Sequence, residues 1–262
     1  MCTIVVLRDL RPDWPVVIAA NRDEFYAREA TGPQLLCESP RAVGGRDLVS
    51  GGTWMGVTAG GFFAGVTNQR TDRGPDPSLE SRGVLVTELL RTGGRAAARA
   101  LLRSIDGRRY NEFNLIFGDA GGLEVGYGRA ERAEIELEPV PPGLTVLPND
   151  RLDSPEFPKV DRVRALLDND LTGPWNELAD RLRRTLADHR QPDDATLDAL
   201  PQPSRFDREI LRKLHAICVH TDFYGTRSST LLALAPGRVA HYAFADGPPC
   251  TAELRDRTEL LH

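Results

Sequence analysis

A chain of 262 residues, 40% hydrophobic and 6% aromatic, is long enough to form one large domain, residues 1–262, burying about three-quarters of its unfolded surface. Its 38 acidic and 33 basic residues leave a net charge of −5, which excludes a general attraction to nucleic acid. Cys2, Cys37, Cys218 and Cys250 are far apart with no C-x-x-C spacing, so they predict neither a zinc site nor a disulfide framework and fit a reducing cytosol.

Met1–Leu7 is apolar and β-branched and reads as a strand; Pro15–Ala20 reads as a second, ending on Asn21-Arg22-Asp23-Glu24-Phe25-Tyr26. Leu10-Arg11-Pro12-Asp13 suits the turn between them. If they form an antiparallel hairpin, paired positions sum to about 23, placing Cys2 opposite Asn21 and Arg22. A small second residue generally permits removal of Met1, which would leave thiol and α-amine on one residue. The amine can then take the thiol proton, Arg22 would favour the thiolate, and Asp23 could hold the ammonium or orient the guanidinium. The alternative is a small buried hydrophobe at a strand start.

Residues 27–50, broken by Gly32-Pro33, Pro40 and Gly44-Gly45, read as a long loop. Gly51–Val57 enters a strand in which Trp54 is either a platform for substrate or core. Phe62–Asn68 is a strand ending on an amide that either donates to an oxyanion or shapes a turn. Gln69–Pro77 is polar loop. Helical spacing follows over Ser81–Arg91 and Ala96–Ile105, then strands over Tyr110–Gly118, Leu123–Gly128, Glu134–Glu138 and Gly143–Asp150, the last carrying Asn149.

Ser154-Pro155-Glu156 carries a helix-start signal, with Phe157, Val160, Val163 and Leu166 as the apolar face. Pro174 opens another helix, and residues 190–207 read as a surface loop around one short helix. Ala216–Thr221, Ser228–Ala235, Arg238–Ala245 and Thr251–Arg255 read as strands, the first two joined by a turn over Tyr224–Thr230. There Arg227 is either a bidentate anion clamp or an exposed turn residue. Cys218 and His220 share a strand face, but without a third ligand they read as packing, and no metal is expected. With only Lys159 and Lys213 as lysines, the chain has the arginine bias of a GC-rich, bacterial-looking genome. It has no signal segment and no apolar run of membrane-spanning length, so a cytoplasmic protein without a membrane span is expected.

Met1-Cys2, Asn21–Tyr26, Gly51–Gly56, Tyr110–Ile116 and Tyr224–Arg227 together resemble the NRDE family, also named transport and Golgi organisation protein 2. That family is similar in turn to N-terminal-nucleophile cysteine hydrolases of the choloylglycine hydrolase and penicillin V acylase type. The resemblance implies a four-layer αββα sandwich of α+β class with mostly antiparallel sheets. It implies Cys2 as nucleophile and amine base, tuned by Arg22 and Asp23, with Asn68 and Asn149 at the oxyanion. Asn21, Glu24, Trp54 and Arg227 are the substrate-binding candidates. Pro148 stands where family members often carry serine. Two functions follow: a cysteine amidohydrolase or acyl hydrolase acting on a small amide or acyl substrate without a cofactor, or a non-catalytic carrier of haem or acyl-CoA. The carrier has thin sequence support, because no C-x-x-C-H occurs and the five histidines show no haem context.

Overall fold

In the computed structural model, residues 2–72, 74–168, 171–201 and 206–262 are described. Strands β1 (Thr3–Arg8) and β2 (Val16–Phe25) form the expected hairpin, with Thr3 opposite Asn21 and Arg8 opposite Val16. The paired positions sum to 24, one more than expected, so the register continued outward sets Cys2 against Arg22. The chain then runs through β3 (Ala30–Glu38), β4 (Arg41–Asp47), β5 (Met55–Thr58), β6 (Phe63–Asn68), α1 (Arg82–Thr92), α2 (Arg95–Ser104), β7 (Phe113–Asp119), β8 (Gly122–Gly128), β9 (Glu136–Pro139) and β10 (Gly143–Leu147). Its remainder comprises α3 (Pro158–Leu166), α4 (Trp175–Leu186), α5 (Asp194–Asp198), α6 (Arg208–Leu214), β11 (Tyr224–Ala235), β12 (Arg238–Ala245) and β13 (Arg255–Asp256).

The strands form two antiparallel sheets, ordered β10-β1-β2-β11-β12-β13 and β3-β4-β5-β6-β7-β8-β9. Strand alternation divides the first sheet's side chains between two cores. Ile4, Val6, Val16, Ile18 and Ala20 face the second sheet, where they meet Met55, Val57, Phe63 and Ile116. Val5, Leu7, Val17 and Ala19 face outward under α3 and α4, against Phe157, Val160, Leu178 and Leu182. A third core lies under α1 and α2, where Leu85, Leu89 and Leu102 cover Phe62, Leu115 and Phe117. The layers therefore run α, β, β, α, as the family resemblance implies.

Several stretches differ from the sequence reading, among them residues 251–254, which are turn and irregular chain before the two-residue β13 rather than strand. Residues 27–50 are largely β3 and β4 rather than loop. Pro33 is tolerated because β3 is a sheet edge with register shifts, where a missing N–H costs little. Gly45 is not a turn signal: a Cβ there would lie 2.0 Å from the Trp54 ring, so glycine lets the indole lie against the strand. Ser154 does not cap a helix; α3 begins at Pro158, and the Ser154 hydroxyl donates to Asp150 at 2.6 Å. Residues 216–221 make only an isolated bridge, His220 to Gly225, and the expected turn over 224–230 is the first half of β11. Of the stretches read as loop, residue 73 and residues 202–205 lie outside the described residues, as does Met1.

Candidate active site

The hairpin places Cys2 just before β1, on the face turned toward the second sheet. There a cavity of about 10 Å³, roughly what one water needs, is lined by Cys2, Arg22, Trp54, Met55, Val66 and Ser228, among others. The Arg22 guanidinium stacks 4.3 Å from the centre of the Trp54 ring. Arg22 is 6% exposed, and burial lowers its pKa, an effect opposed by the charge of Cys2. Burial likewise pushes the Cys2 thiol up; Asp23's charge adds to this, while an Asp23 backbone hydrogen bond and Arg22 oppose it. Burial thus favours the neutral thiol over the thiolate at this position.

The neighbouring residues of β2 face the other way. Asp23 is buried and accepts a 2.6 Å hydrogen bond from Thr226 on β11. Burial raises its pKa, opposed in part by Lys159 and Thr226. Lys159, 1% exposed on α3, donates to Thr3 at 3.4 Å, and burial lowers its pKa against the pull of Asp23. Beside it His215 is 2% exposed with neither ring nitrogen hydrogen-bonded, its pKa pushed down to about 3 by burial and by Lys159. Asn21 borders the cavity, but its side chain is held on the helix side: it donates to the Leu186 and Ile217 carbonyls at 2.8 and 2.9 Å and accepts from Ser229 at 2.6 Å.

Asn149 reaches the site from the other flank. Pairing of Ile4 with Leu147 continues outward to set Asn149 beside Cys2, so the thiol lies between Arg22 and Asn149 along the sheet. Asn149 is buried, donates to the Asn68 carbonyl at 2.6 Å, and has an Oδ1 with no hydrogen-bond partner. The second sheet holds this segment through a relay: Arg129 donates to Asn114 (2.9 Å), Asn114 to Thr67 (3.1 Å), and Thr67 to the Pro148 carbonyl (2.7 Å). Asn68 contributes its backbone to this contact, and the residue itself is exposed at the end of β6.

Glu24 sits 3.8 Å from Arg28, which pairs with Asp47 at 2.6 Å, and its charge reaches Arg22 from outside the cavity lining. Arg227 lies farther away. It occupies a bulge in β11 and donates to the carbonyls of Phe25 and Tyr26, away from the residues lining the cavity. The fold therefore gathers Cys2, Arg22 and Trp54 around one cavity, with Asn149 alongside and Asp23 behind, and leaves Arg227 at the rim of the sheet.

Three participants are absent from the sequence reading: Lys159, Thr226 and Arg82, a half-buried arginine on α1 whose charge interacts with Cys2. Lys159 sits in an amphipathic helix, where a lysine ordinarily marks the solvated side, and only the fold reveals that it points inward. Its being one of two lysines in an arginine-rich chain is the one signal that singles it out.

The chain as a whole resembles known proteins. A family model described as Transport and Golgi organisation 2 matches residues 1–243. Transport and Golgi organization protein 2 homolog from Bos taurus is 33% identical over 91% of both chains, and the homolog from Homo sapiens is 32% identical over 91% of both. Among solved structures, the N-acylethanolamine-hydrolyzing acid amidase ortholog from Caenorhabditis elegans superposes with a TM-score of 0.53 at 12% identity, covering 90% of this chain and 93% of that one. The C2A mutant of conjugated bile acid hydrolase from Clostridium perfringens superposes with a TM-score of 0.51 at 12% identity, covering 100% of this chain and 94% of that one.

Proposed function

The chain belongs to the transport and Golgi organisation 2 family, and we propose that it is an N-terminal cysteine hydrolase that cleaves a small amide or acyl substrate. The observation that carries this reading is the position of Cys2, in a cavity between two sheets with a stacked guanidinium on one side and a buried asparagine on the other. Of the two superposed structures, one is an acid amidase and the other a mutant of a hydrolase, which supports the same class.

Removal of Met1 would expose the Cys2 α-amine beside its own thiol. The amine takes the thiol proton, which matters here because burial holds the thiol neutral. Sulfur attacks the substrate carbonyl, and the Asn149 amide, with one N–H still available beyond its bond to Asn68, holds the developing oxyanion. As the tetrahedral centre collapses, the bond from carbon to the leaving nitrogen or sulfur breaks, and the α-ammonium returns its proton to the leaving group. Water then adds to the thioester under the same amine base, releasing the acid and restoring the thiol. Arg22 steadies the thiolate against Trp54, and Asp23, fixed by Thr226, orients the terminus from behind. Seating an acyl group requires the space around Trp54 to widen, since the cavity holds about one water. Carriage of haem in that cavity gains no support from a space of this size.

Intact mass of the purified protein tests the reading, taken before and after a short exposure to a thiol-directed probe at neutral pH. Loss of Met1 with one rapid adduct on Cys2 is expected. A retained Met1 with a slowly reacting Cys2 would remove the base and overturn the mechanism.

A further inference from the structure

Away from the cavity, four side chains from three separated stretches converge. His189 lies just past α4, Cys218 and His220 precede β11, and Cys250 lies in the turn after β12. One ligand atom from each falls within 4.8 Å of all the others. We propose that His189, Cys218, His220 and Cys250 form a structural zinc site that staples the end of α4, the entry to β11 and the exit from β12.

The spacing fits the ion. A tetrahedron with Zn–S of about 2.3 Å and Zn–N of about 2.0–2.1 Å has S···S edges near ~3.8 Å and S···N edges near ~3.6 Å. Here the Cys218 and Cys250 sulfurs are 3.9 Å apart, and each lies 3.5 Å from His220 Nε2. His189 completes the set from the side of His220, the two imidazoles lying 5.0 Å apart between ring centres. His189 Nδ1 is 3.3 Å from the Cys218 carbonyl, and a carbonyl only accepts, so Nδ1 is the donor there and Nε2 is the nitrogen left to face a metal. That is the outer hydrogen bond a metal-bound histidine usually makes.

Two thiolates and two neutral imidazoles balance the charge of Zn²⁺ and suit its borderline softness better than that of an oxygen-seeking cation. Four protein ligands leave no open position for substrate or water, so the ion is structural. Its neighbourhood says what it steadies. The Cys218 N–H donates to the Asp188 carbonyl at 2.9 Å, Val219 exchanges hydrogen bonds with Thr226, and Thr226 holds Asp23. The staple thus ends next to Val219, two hydrogen-bonded steps from Asp23, the group behind Cys2. Because the cysteines are 32 residues apart and His189 lies a further 29 upstream of Cys218, no local spacing motif exists to betray the site.

Elemental analysis and native mass spectrometry of the full chain, prepared with zinc and without a metal-affinity tag, test this. One zinc per chain is expected in the wild type and in a Cys2→Ser, Cys37→Ser double variant, and none in Cys250→Ser or His189→Ala. Cobalt loaded into the metal-free wild type is expected to show the intense visible bands of a tetrahedral site with a thiolate charge-transfer band, both lost in Cys250→Ser. The thermal midpoint is expected to rise with zinc in the wild type only. Cys250 is half-buried and His189 exposed, so these two variants keep the test decisive should Cys218→Ser fail to fold. Absence of stoichiometric metal in the wild type would overturn the proposal, as would a disulfide between Cys218 and Cys250 or zinc retained by both single variants.

Discussion

The two faces of β2 near its end carry equally polar residues put to opposite uses. On the inner face Arg22 borders a cavity together with Cys2, and the cavity wall facing it is an indole. On the outer face Asn21 has its amide bonded three times, and Asp23, Thr226, Thr3 and Lys159 form a buried cluster under α3 and α4. A buried polar group that is fully bonded holds structure, whereas one left beside a cavity is available to a ligand. Residues one step apart in the chain thus divide into structural support and cavity lining because a strand sends alternate side chains to opposite faces.

The largest expected effect tests the inner face. If Cys2 is the nucleophile as proposed, Cys2→Ala should lower turnover of any substrate found by at least about 10³-fold while leaving the thermal midpoint unchanged, because Cys2 sits at a cavity rather than inside a packed core. Retained turnover in that variant would end the comparison outright.

Asn21→Leu tests the outer face. It strands two carbonyls and a hydroxyl in a buried environment, so a loss of about 3 kcal/mol is expected, seen as a fall of roughly 10 °C in thermal midpoint. A variant as stable as the wild type but slowed in turnover would move Asn21 to the chemical side.

A smaller effect appears in acid. His215 stays neutral in the folded chain down to about pH 3, whereas in the unfolded chain it takes a proton near its usual 6.5. Below that value the unfolded state binds more protons, so stability falls as pH falls, by up to about 1.4 kcal/mol per pH unit from this residue. Chemical denaturation between pH 6 and pH 4.5, above the range of most carboxylates, is expected to show this slope in the wild type and a flatter one in His215→Leu. Equal slopes would assign the acid sensitivity to another group.

The smallest effect is expected at Arg227, whose guanidinium fastens the end of β2 to the bulge of β11. Arg227→Ala should cost about 1 kcal/mol in urea unfolding and change kcat/KM less than twofold. A large rise in KM would bring Arg227 back to the substrate.

Much of the fold was legible in the sequence. The β1–β2 pair was expected one position from its true register because β-branched alternation and a proline turn leave few other pairings. Strands β3 and β4 escaped because glycine and proline there meet tertiary demands: Gly45 yields to Trp54, and Pro33 lies on an edge. At the site, Cys2 and Arg22 could be paired by counting, and Asn149 was implied by the family resemblance. Lys159 and the histidine–cysteine cluster were out of reach.

By itself, then, the sequence determined the hairpin, most of the later strands and helices, and the family, all of which rest on short-range pattern and motif order. Tertiary structure alone decided which polar residues of β2 face the cavity wall and which are consumed as supports, that Lys159 points inward, and that His189 and Cys250 meet Cys218 and His220. The physical reason is the same in each case. Burial and convergence depend on packing between segments 30 to more than 130 residues apart, as between Lys159 and Asp23, and no local periodicity records which segments will touch.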